Sequence, residues 1–410
     1  MSRVSAPRGT FDILPEQAPA RARIERVASE VLEPAGYGRI ETPTFESTEL
    51  FSRGVGEATD IVQKEMYSFD DGGGRSLTLR PEGTAPVCRA YVEYGMHKRP
   101  LPVRLYYLSS FFRAERPQAG RYRQFWQLGI EALGSDAPEV DAETIVLLAT
   151  ILQRIGVNEA RLRLSSLGSP DTRAAYRHEL AAYLHKHADR LAPAVRDRIE
   201  LNPLRAFDST DPGTQAVMTD APTLLDRLSP ADGEHFAAVR GLLDGAGIDY
   251  EIDPTLVRGL DYYTRTLFEF TSDALGAQSG VGGGGRYDGL VEALGGPATP
   301  GVGWAAGIER MLMAADEVPE PAPALDLYLA ASGSDAAAFE ALIAARQAGL
   351  SAQMEVMGRS PKGQQKQAER LGARFFAQIE GEQVRLREMS SGAEETVERG
   401  SLVERVRGAV

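Results

Sequence analysis

Residues 111–134 read FFRAERPQAGRYRQFWQLGIEALG, and this stretch decides the fold. Apolar and aromatic residues flank a polar centre that carries four arginines and one glutamate (Arg113, Arg116, Arg121, Arg123 and Glu115). Residues 117–120 are typical of turns, so the sequence predicts a strand, a long loop and a second strand. Guanidinium groups bind phosphate oxygens in pairs, and the loop therefore favours a polyphosphate or a nucleic-acid backbone. The alternative is a solvated hairpin whose arginines pair with surface carboxylates.

Length and composition predict a soluble protein of two or three domains, because 410 residues exceed one comfortable core. No apolar run approaches the roughly 20 residues of a membrane span. The first fifteen residues lack the apolar core of a signal peptide, so we expect a cytoplasmic protein. The single Cys88 excludes an internal disulfide and a cysteine-based zinc site. The net charge of -13 disfavours a wholesale nucleic-acid coat.

The periodicity of apolar residues predicts two domains joined by the proline-rich residues 318–324. In the first domain, residues 1–320, clustered strands suggest an antiparallel sheet flanked by helices, an α+β fold. Residues 169–234 are Ala- and Arg-rich, interrupted by prolines, and predict a helical insertion. In residues 324–410, strands alternate with helices, which predicts a small α/β domain with a largely parallel sheet. The remaining predicted elements are helices at 17–32, 85–94, 141–155 and 305–315, and strands at 39–45, 76–79, 105–108 and 160–165.

The segment LRPEGTA, residues 79–85, places Glu82 and Thr84 two residues apart. In an extended segment both side chains share one face, which suits a ligand ammonium group. The alternative is a structural turn in which one of the two caps a helix.

The segment LVRGLDYYT, residues 256–264, places Arg258 before a glycine that permits close backbone approach. Tyr262 and Tyr263 follow in a strand-like run, so we expect one to point to each side of the sheet. An arginine in such apolar surroundings requires an anionic partner. That partner is either a ligand or, in the alternative, Asp261.

Two glycine-rich segments follow, GVGGGGRYDG at 280–289 and GVGWAAGIER at 301–310. The first is a poor phosphate-loop signature, but a glycine-rich strand lets a ligand lie on the backbone. In the second, Gly303 and Gly307 are one helical turn apart, which predicts a glycine face on a helix with Arg310 beside it. In the C-terminal domain, Lys362, Lys366, Arg370 and Arg374 recur every four residues and predict a basic stripe, or simply a solvated helix side.

Together these segments resemble the histidyl-tRNA synthetases, a family of class II aminoacyl-tRNA synthetases, over almost the whole chain. RGTFDILP (8–15), YGRIETPTFE (37–46), FRAERPQAGRYRQF (112–125) and GVGWAAGIER match in the family's order. LRPEGTA and LVRGLDYYT are the histidine-specific elements. The resemblance implies a class II catalytic domain, an anticodon-binding C-terminal domain, and a homodimer with residues 37–46 at its interface.

The resemblance implies roles for the site residues. Arg113 would hold the ATP α-phosphate and the substrate carboxylate, Arg258 would neutralise charge at the α-phosphate, and Arg310 would clamp the γ-phosphate. The other implied nucleotide contacts are Glu115, Arg121 and Phe125. The implied histidine contacts are Glu82, Thr84 and Gln127 for the amino group, Glu131 and Tyr263 for the imidazole, and Gly83 and Tyr262 in the same pocket.

The resemblance also implies RNA contacts. Arg116, Gln118 and Arg123 would meet the tRNA acceptor end, and Lys362, Lys366 and Arg370 the anticodon region. Trp126 would point away from the ligands, because it alternates with Phe125 and Gln127 along the strand.

The implied reaction is ATP-dependent activation of L-histidine to histidyl-adenylate, followed by transfer to the 3′ end of tRNA(His). Mg²⁺ would arrive with ATP, since the chain predicts no metal cluster of its own. The competing hypothesis is a non-catalytic, histidine-binding regulatory subunit of ATP phosphoribosyltransferase. Such proteins typically lack the C-terminal domain and the arginines that stand here at positions 258 and 310.

Overall fold

The computed structural model describes residues 4–56, 59–276, 279–316, 325–330 and 335–409. The chain divides into two compact units, Met1–Val318 and Pro319–Val410.

The first unit combines ten α-helices and eleven strands within its described residues. The helices are α1 (Ala18–Leu32), α2 (Thr48–Val55), α3 (Thr84–Glu93), α4 (Pro138–Arg154), α5 (Pro170–Lys186), α6 (Pro193–Arg196), α7 (Pro212–Met218), α8 (Pro230–Gly245), α9 (Leu290–Ala293) and α10 (Ile308–Ala314). The strands are β1 (Gly38–Arg39), β2 (Phe45–Ser47), β3 (Tyr67–Asp70), β4 (Ser76–Leu79), β5 (Val103–Phe112), β6 (Gln124–Leu133), β7 (Arg161–Ser166), β8 (Tyr250–Ile252), β9 (Thr264–Thr271), β10 (Gly280–Arg286) and β11 (Gly301–Gly307).

Eight of these strands form the central sheet, in the order β1-β5-β6-β11-β10-β9-β7-β8. Its inner pairs are antiparallel, and only β1 and β8 at the edges pair in parallel. Strands β2, β4 and β3 make a separate small sheet. The predicted antiparallel sheet flanked by helices is therefore confirmed.

The hairpin of β5 and β6 sorts side chains between the two faces of the central sheet. Leu128 and Ile130 point into the main core with α1, α4, α8 and α10. The odd-numbered residues of β6 point to the other face, where Tyr107 and Tyr287 pack beside α3 and α9. The predicted strand, loop and strand are present, and both strands are longer than their apolar runs suggested.

The helix predicted at residues 305–315 is wrong in its first three residues. Residues 301–307 form strand β11, paired on both sides with β6 and β10, and α10 begins only at Ile308. Val302, Trp304 and Ala306 alternate into the main core. The spacing of Gly303 and Gly307 therefore gives no helical glycine face, because the period-two alternation of the strand decides the structure.

The helical insertion has a core of its own. Tyr176, Leu180 and Val217 pack together, with Leu267 of the sheet at the edge of the cluster. The predicted insertion boundary at residue 234 falls inside α8. That helix begins at Pro230 after a Ser229 cap and packs its buried Phe236 into the main core. It therefore belongs to the body of the unit.

The second unit contains a five-stranded sheet in the order β13-β12-β14-β15-β16. Its elements are β12 (Leu327–Ala330), α11 (Asp335–Gln347), β13 (Ala352–Met354), α12 (Pro361–Arg370), β14 (Phe375–Glu380), β15 (Gln383–Glu388), β16 (Glu394–Glu398) and α13 (Leu402–Arg407). The alternation of strands and helices matches the prediction up to β14. The sheet is mixed rather than largely parallel, because β14, β15 and β16 then pair as antiparallel neighbours.

Candidate active site

Two joined cavities lie on the face of the central sheet opposite the main core. The larger has a volume of about 540 Å³ and the smaller about 110 Å³. They share Arg113, Gln127, Arg258 and Ala305 in their walls. A third cavity, of about 590 Å³, lies beside α2 and α5 but holds none of the predicted site residues except Tyr262. The two joined cavities are therefore lined by most of the residues predicted to bind the nucleotide and the amino acid.

Four tyrosines and three glycines are among the residues that line the smaller cavity. Tyr107 packs between Gly83 and Gly129, where an added Cβ would lie within 2.4 Å of its ring. Tyr262 and Tyr263 both line the cavity, with ring centroids 4.9 Å apart. The prediction that they point to opposite sides is wrong, because β9 begins only at Thr264 and the two tyrosines precede it.

Glu131 is fully buried behind this wall and accepts three hydrogen bonds. The donors are Thr84 Oγ1 at 2.7 Å, Tyr287 Oη at 2.5 Å and Tyr107 Oη at 3.4 Å. Burial raises the pKa of Glu131 to about 8, against the opposing effect of these hydrogen bonds. Below that pH the carboxyl of the free protein is protonated, so it carries one O–H donor in addition to its acceptor positions.

Glu82 stabilises the start of a helix, which was the structural alternative to its predicted contact with a ligand ammonium group. Its carboxylate accepts from the backbone N–H of Thr84 at 2.7 Å and of Ala85 at 3.0 Å, at the start of α3. Burial raises its pKa. Gln127 differs, because its buried Oε1 has no hydrogen-bond partner among the described residues. A buried acceptor without a partner costs free energy until a donor arrives.

Arg258 stands between the two cavities and pairs with Glu269 of β9, so the alternative pair with Asp261 is wrong. Asp261 instead forms an ion pair with Arg173, with 3.6 Å between Asp261 Oδ1 and Arg173 Nη2. Burial is the largest single effect and disfavours the charged guanidinium, but Glu269 together with Tyr263 and Tyr262 outweighs it, so the pKa of Arg258 is raised. Glu269 Oε2 also lies 3.5 Å from Arg163 Nη1, so this carboxylate forms ion pairs with two arginines.

The larger cavity is lined by further cations. Arg113 donates from Nε to the Pro81 carbonyl at 2.9 Å and lies over the Phe125 ring at 5.3 Å. Its two terminal nitrogens have no hydrogen-bond partner in the described ranges and are available to an anion. Arg121 lies 3.3 Å from Glu115. Arg310 donates from Nε to the Gly280 carbonyl at 2.5 Å, and burial together with Arg121 lowers its pKa.

A residue near the N-terminus, Gly9, contacts the loop between β5 and β6. The backbone N–H of Arg123 donates to the Gly9 carbonyl at 2.7 Å, and a Cβ on Gly9 would lie 2.8 Å from the Arg123 side chain. Arg123 is therefore half-buried, whereas Arg116 and Gln118 are exposed. Trp126 stacks with Arg21 at 4.9 Å and is absent from the lining of both cavities, as its strand position predicted.

Sequence reasoning missed three residues of this site. Tyr107 and Tyr287 donate to Glu131, and Glu269 holds Arg258. Tyr287 stood in the quoted glycine-rich segment, and its spacing gave no sign that it would meet Glu131. Glu269 is a polar residue of β9. The partial alternation of polar and apolar residues along that strand was the sequence signal that could have indicated which face Glu269 occupies.

In the second unit, α12 carries the predicted basic stripe. Lys362, Lys366 and Arg370 are exposed on one face of this helix. Arg374 is no part of the stripe, because α12 ends at Arg370 and Arg374 lies near Asp326 at 3.8 Å.

Comparison with known proteins gives consistent results. A family model described as histidyl-tRNA synthetase matches residues 9–311. A histidine--tRNA ligase from Desulforudis audaxviator is 48% identical over 98% of this chain and 98% of its own. The structure of apo S. aureus histidyl-tRNA synthetase matches with a TM-score of 0.83 and 36% identity, covering 99% of this chain and 100% of that one.

A structure titled ATP phosphoribosyltransferase regulatory subunit/histidyl-tRNA synthetase, from Bacillus halodurans C, has a TM-score of 0.66. It is 22% identical, covers 92% of this chain and 97% of its own, and shares the fold alone. The family model spans most of the chain, and the curated relative spans nearly all of it. The chain belongs to the histidyl-tRNA synthetase family.

Proposed function

We propose that the chain activates L-histidine with ATP and transfers the histidyl group to the 3′ end of tRNA(His). In the first step the histidine carboxylate attacks the α-phosphorus, the bond to the bridging oxygen breaks, and pyrophosphate leaves. The products are histidyl-adenylate and pyrophosphate. In the second step a terminal adenosine hydroxyl attacks the acyl carbon and AMP leaves. Neither step needs an enzyme nucleophile, so positioning and cationic stabilisation supply the catalysis.

The observation that carries this proposal is the junction of the two cavities at Arg113, Gln127 and Arg258. A ligand in the smaller cavity would present its carboxylate to Arg113 and Arg258, and a phosphate in the larger cavity would reach the same two guanidiniums. The carboxylate and the phosphate, which repel each other, would thereby be held next to each other for reaction. Arg310 and Arg121 extend the cationic wall, which suits the β- and γ-phosphates, and Phe125 offers an aromatic face to the nucleotide.

The smaller cavity suits histidine as the amino acid. The unpartnered Gln127 Oε1 can accept from the ammonium group, with Glu82 and Thr84 beside it. Glu131 and the Tyr263 hydroxyl can hydrogen-bond the two imidazole nitrogens. A site with buried hydrogen-bonding groups rejects analogues that lack the partner by about 10⁴-fold or more. We therefore expect specificity without an editing domain.

ATP enters as its Mg²⁺ complex. In the described parts of the chain there is no group of three or more side chains that could hold a metal ion. Glu65, Glu115 and Glu269 line the larger cavity and can contact waters of a phosphate-bound ion.

RNA recognition belongs to two surfaces in this proposal. The exposed Arg116 and Gln118, with Arg123 beside them, would meet the acceptor end. The second unit would bind the anticodon region through Lys362, Lys366 and Arg370, since unpaired bases are open to reading.

We also propose a cytoplasmic homodimer. No helix among the described residues has the length and apolarity of a membrane span. The small sheet bears an exposed aromatic pair, Phe45 on β2 and Phe69 on β3, with ring centroids 6.2 Å apart. Phe45 belongs to the 37–46 segment, and the resemblance implies that this segment contributes to a dimer interface. Two exposed aromatic side chains in contact with each other favour a partner surface.

Histidine-dependent exchange of labelled pyrophosphate into ATP, without tRNA and across a panel of amino acids, tests the proposal. Exchange with histidine alone is the expected result. If calorimetry shows histidine binding but no exchange occurs, the regulatory-subunit hypothesis replaces it. That hypothesis gives no purpose to Arg258 and Arg310 in the larger cavity.

A further inference from the structure

A buried ion cluster joins the ends of several strands of the central sheet. Its centre is Arg286, the last residue of β10, whose side chain is fully buried. Arg286 donates from Nε to Asp141 Oδ1 and from Nη1 to Asp288 Oδ1, both at 2.8 Å. Its Nη2 donates to the Ser135 carbonyl, just after β6, also at 2.8 Å. A buried guanidinium with an acceptor at each of its nitrogens keeps one orientation, because any other orientation leaves a charged donor without a partner.

Asp288 extends the cluster to two further strands. Its Oδ1 also accepts from the Gly301 N–H at 3.2 Å, at the start of β11. Its Oδ2 accepts from Thr264 Oγ1 at 3.4 Å, at the start of β9, and the backbone N–H of Asp288 donates to the same hydroxyl oxygen at 3.4 Å. Arg286 and Asp288 therefore connect β9, β10, β11 and the turn after β6.

Tyr287 lies between Arg286 and Asp288 in the chain and points to the opposite face of the sheet, into the smaller cavity. Its hydroxyl donates to Glu131 at 2.5 Å. Its backbone N–H donates to the Gly301 carbonyl at 2.8 Å, and a Cβ on Gly301 would lie 2.4 Å from the Tyr287 ring. The position of this ring therefore depends on the anchored residues on either side of it.

Tyr263 is tied to the same cluster through its neighbours. It directly precedes Thr264, the residue whose hydroxyl contacts Asp288. Its ring lies against Gly285, the residue before Arg286, where an added Cβ would lie 3.2 Å from the Tyr263 ring. The two tyrosines at this end of the smaller cavity therefore share one support.

We propose that Arg286 and Asp288 are positioning residues for recognition of the imidazole ring. They hold Tyr287 against Glu131 and keep Tyr263 beside it, and they stand behind the described lining of both cavities. This rests on the function proposed above, in which the smaller cavity takes histidine. Hydrogen bonds select a ligand only while their donors and acceptors stay in register, and a misplacement of about 1 Å caused by a remote change can cost about 10²-fold.

The test measures histidine binding by calorimetry, together with pyrophosphate exchange, in the full-length Asp288→Ala variant. This variant loses the contacts to Thr264 and Gly301 and leaves Arg286 paired with Asp141. We expect the Kd and the KM for histidine to rise about tenfold or more, with an unchanged KM for ATP. Asp288→Asn keeps an acceptor oxygen in nearly the same place and should recover most of the affinity.

His235→Ala is the matched control for lost stability. His235 is buried, and its Nε2 lies 3.0 Å from Asp141 Oδ2, the carboxylate oxygen that Arg286 does not use. This variant should lower the Tm, because it also removes a partner from the cluster, and should leave the Kd for histidine unchanged. Histidinol keeps the imidazole and the amino group but lacks the carboxylate, so Asp288→Ala should weaken its binding by the same factor as that of histidine.

Thr264→Val is the milder variant, for use if Asp288→Ala does not fold, and should raise the Kd for histidine in the same direction by a smaller factor. An unchanged Kd in both variants would overturn the proposal. So would an equal loss of affinity in His235→Ala, or an equal loss for ATP, since either would indicate general destabilisation. If the unchanged protein binds no histidine, the proposed function itself fails, whereas normal binding by the variants removes this inference alone.

Discussion

Arg258 is placed to act on both substrates, since it borders both cavities and is already paired with Glu269. Arg258→Ala should lower pyrophosphate exchange roughly 10²–10³-fold or more, the usual effect of removing a group that stabilises transition-state charge. The fold should survive, because Arg163 still faces Glu269. Pyrophosphate exchange and thermal unfolding should both be measured. Arg258→Lys is the companion variant, because lysine keeps the positive charge but cannot donate the paired hydrogen bonds of a guanidinium. Normal exchange in Arg258→Ala would remove this residue from the mechanism.

Glu131 predicts a pH dependence for histidine binding. Burial raises its pKa to about 8, so the free protein holds this proton below that pH, whereas a free imidazole is neutral above about 6.5. A complex that shares one proton between the two groups neither takes up nor releases protons in this window. Histidine affinity should therefore be flat between these values and fall on both sides, as calorimetry across pH would measure.

The matched variant for this profile is Glu131→Gln. The amino group of histidine also titrates on the alkaline side, and the variant retains that contribution. The difference between the two profiles therefore isolates Glu131. Identical alkaline limbs in the two proteins would show that this carboxyl does not share the proton.

At Gly303, strand β11 places backbone, rather than a side chain, against the smaller cavity. A Cβ at Gly303 would lie 2.1 Å from Glu131 Oε2 and 2.3 Å from the Ile130 carbonyl. Gly303→Ala should therefore push Glu131 and its hydroxyl partners aside and raise the KM for histidine at least about tenfold. Overpacking of this kind costs about 1–3 kcal/mol in the free energy of unfolding.

Gly241→Ala is the control for this substitution. Gly241 lies in α8, and the position that an added Cβ would take there is open space. The change should therefore be neutral or raise the unfolding free energy by about 0.5–1 kcal/mol, because alanine loses less backbone freedom on folding than glycine. A Gly303→Ala protein with an unchanged KM for histidine would show that the strand has room to move.

The elements also show what sequence can and cannot predict. The hairpin of β5 and β6 was predictable because its apolar runs and turn residues are local. Strand β11 was misread because glycines four residues apart match a helix turn, while its real partners, β6 and β10, are distant in sequence. The residues that bind Glu131 come from α3, from β5 and from the position just after β10, so no local pattern could reveal that they meet.

At the scale of the whole molecule, the exposed aromatic pair on the small sheet predicts self-association. Sedimentation at micromolar concentration should give twice the chain mass of 44.4 kDa. Phe45→Ser with Phe69→Ser should shift this equilibrium toward the single chain, because apolar contact area is lost. The single variant Phe339→Ser, which changes an exposed aromatic residue in the other unit, should not. A single-chain mass for the unchanged protein would contradict the dimer.

The pairing of Arg258 with Glu269 has a consequence for how the empty protein behaves toward ions. Glu269 acts as a resident counter-ion, so an incoming phosphate must compete with it for the guanidinium. Added salt weakens the internal pair and the attraction of the phosphate at once, and the two effects partly cancel. Nucleotide affinity should therefore respond to ionic strength less than a count of the arginines in the cavity would suggest, and stray inorganic anions should occupy the site poorly.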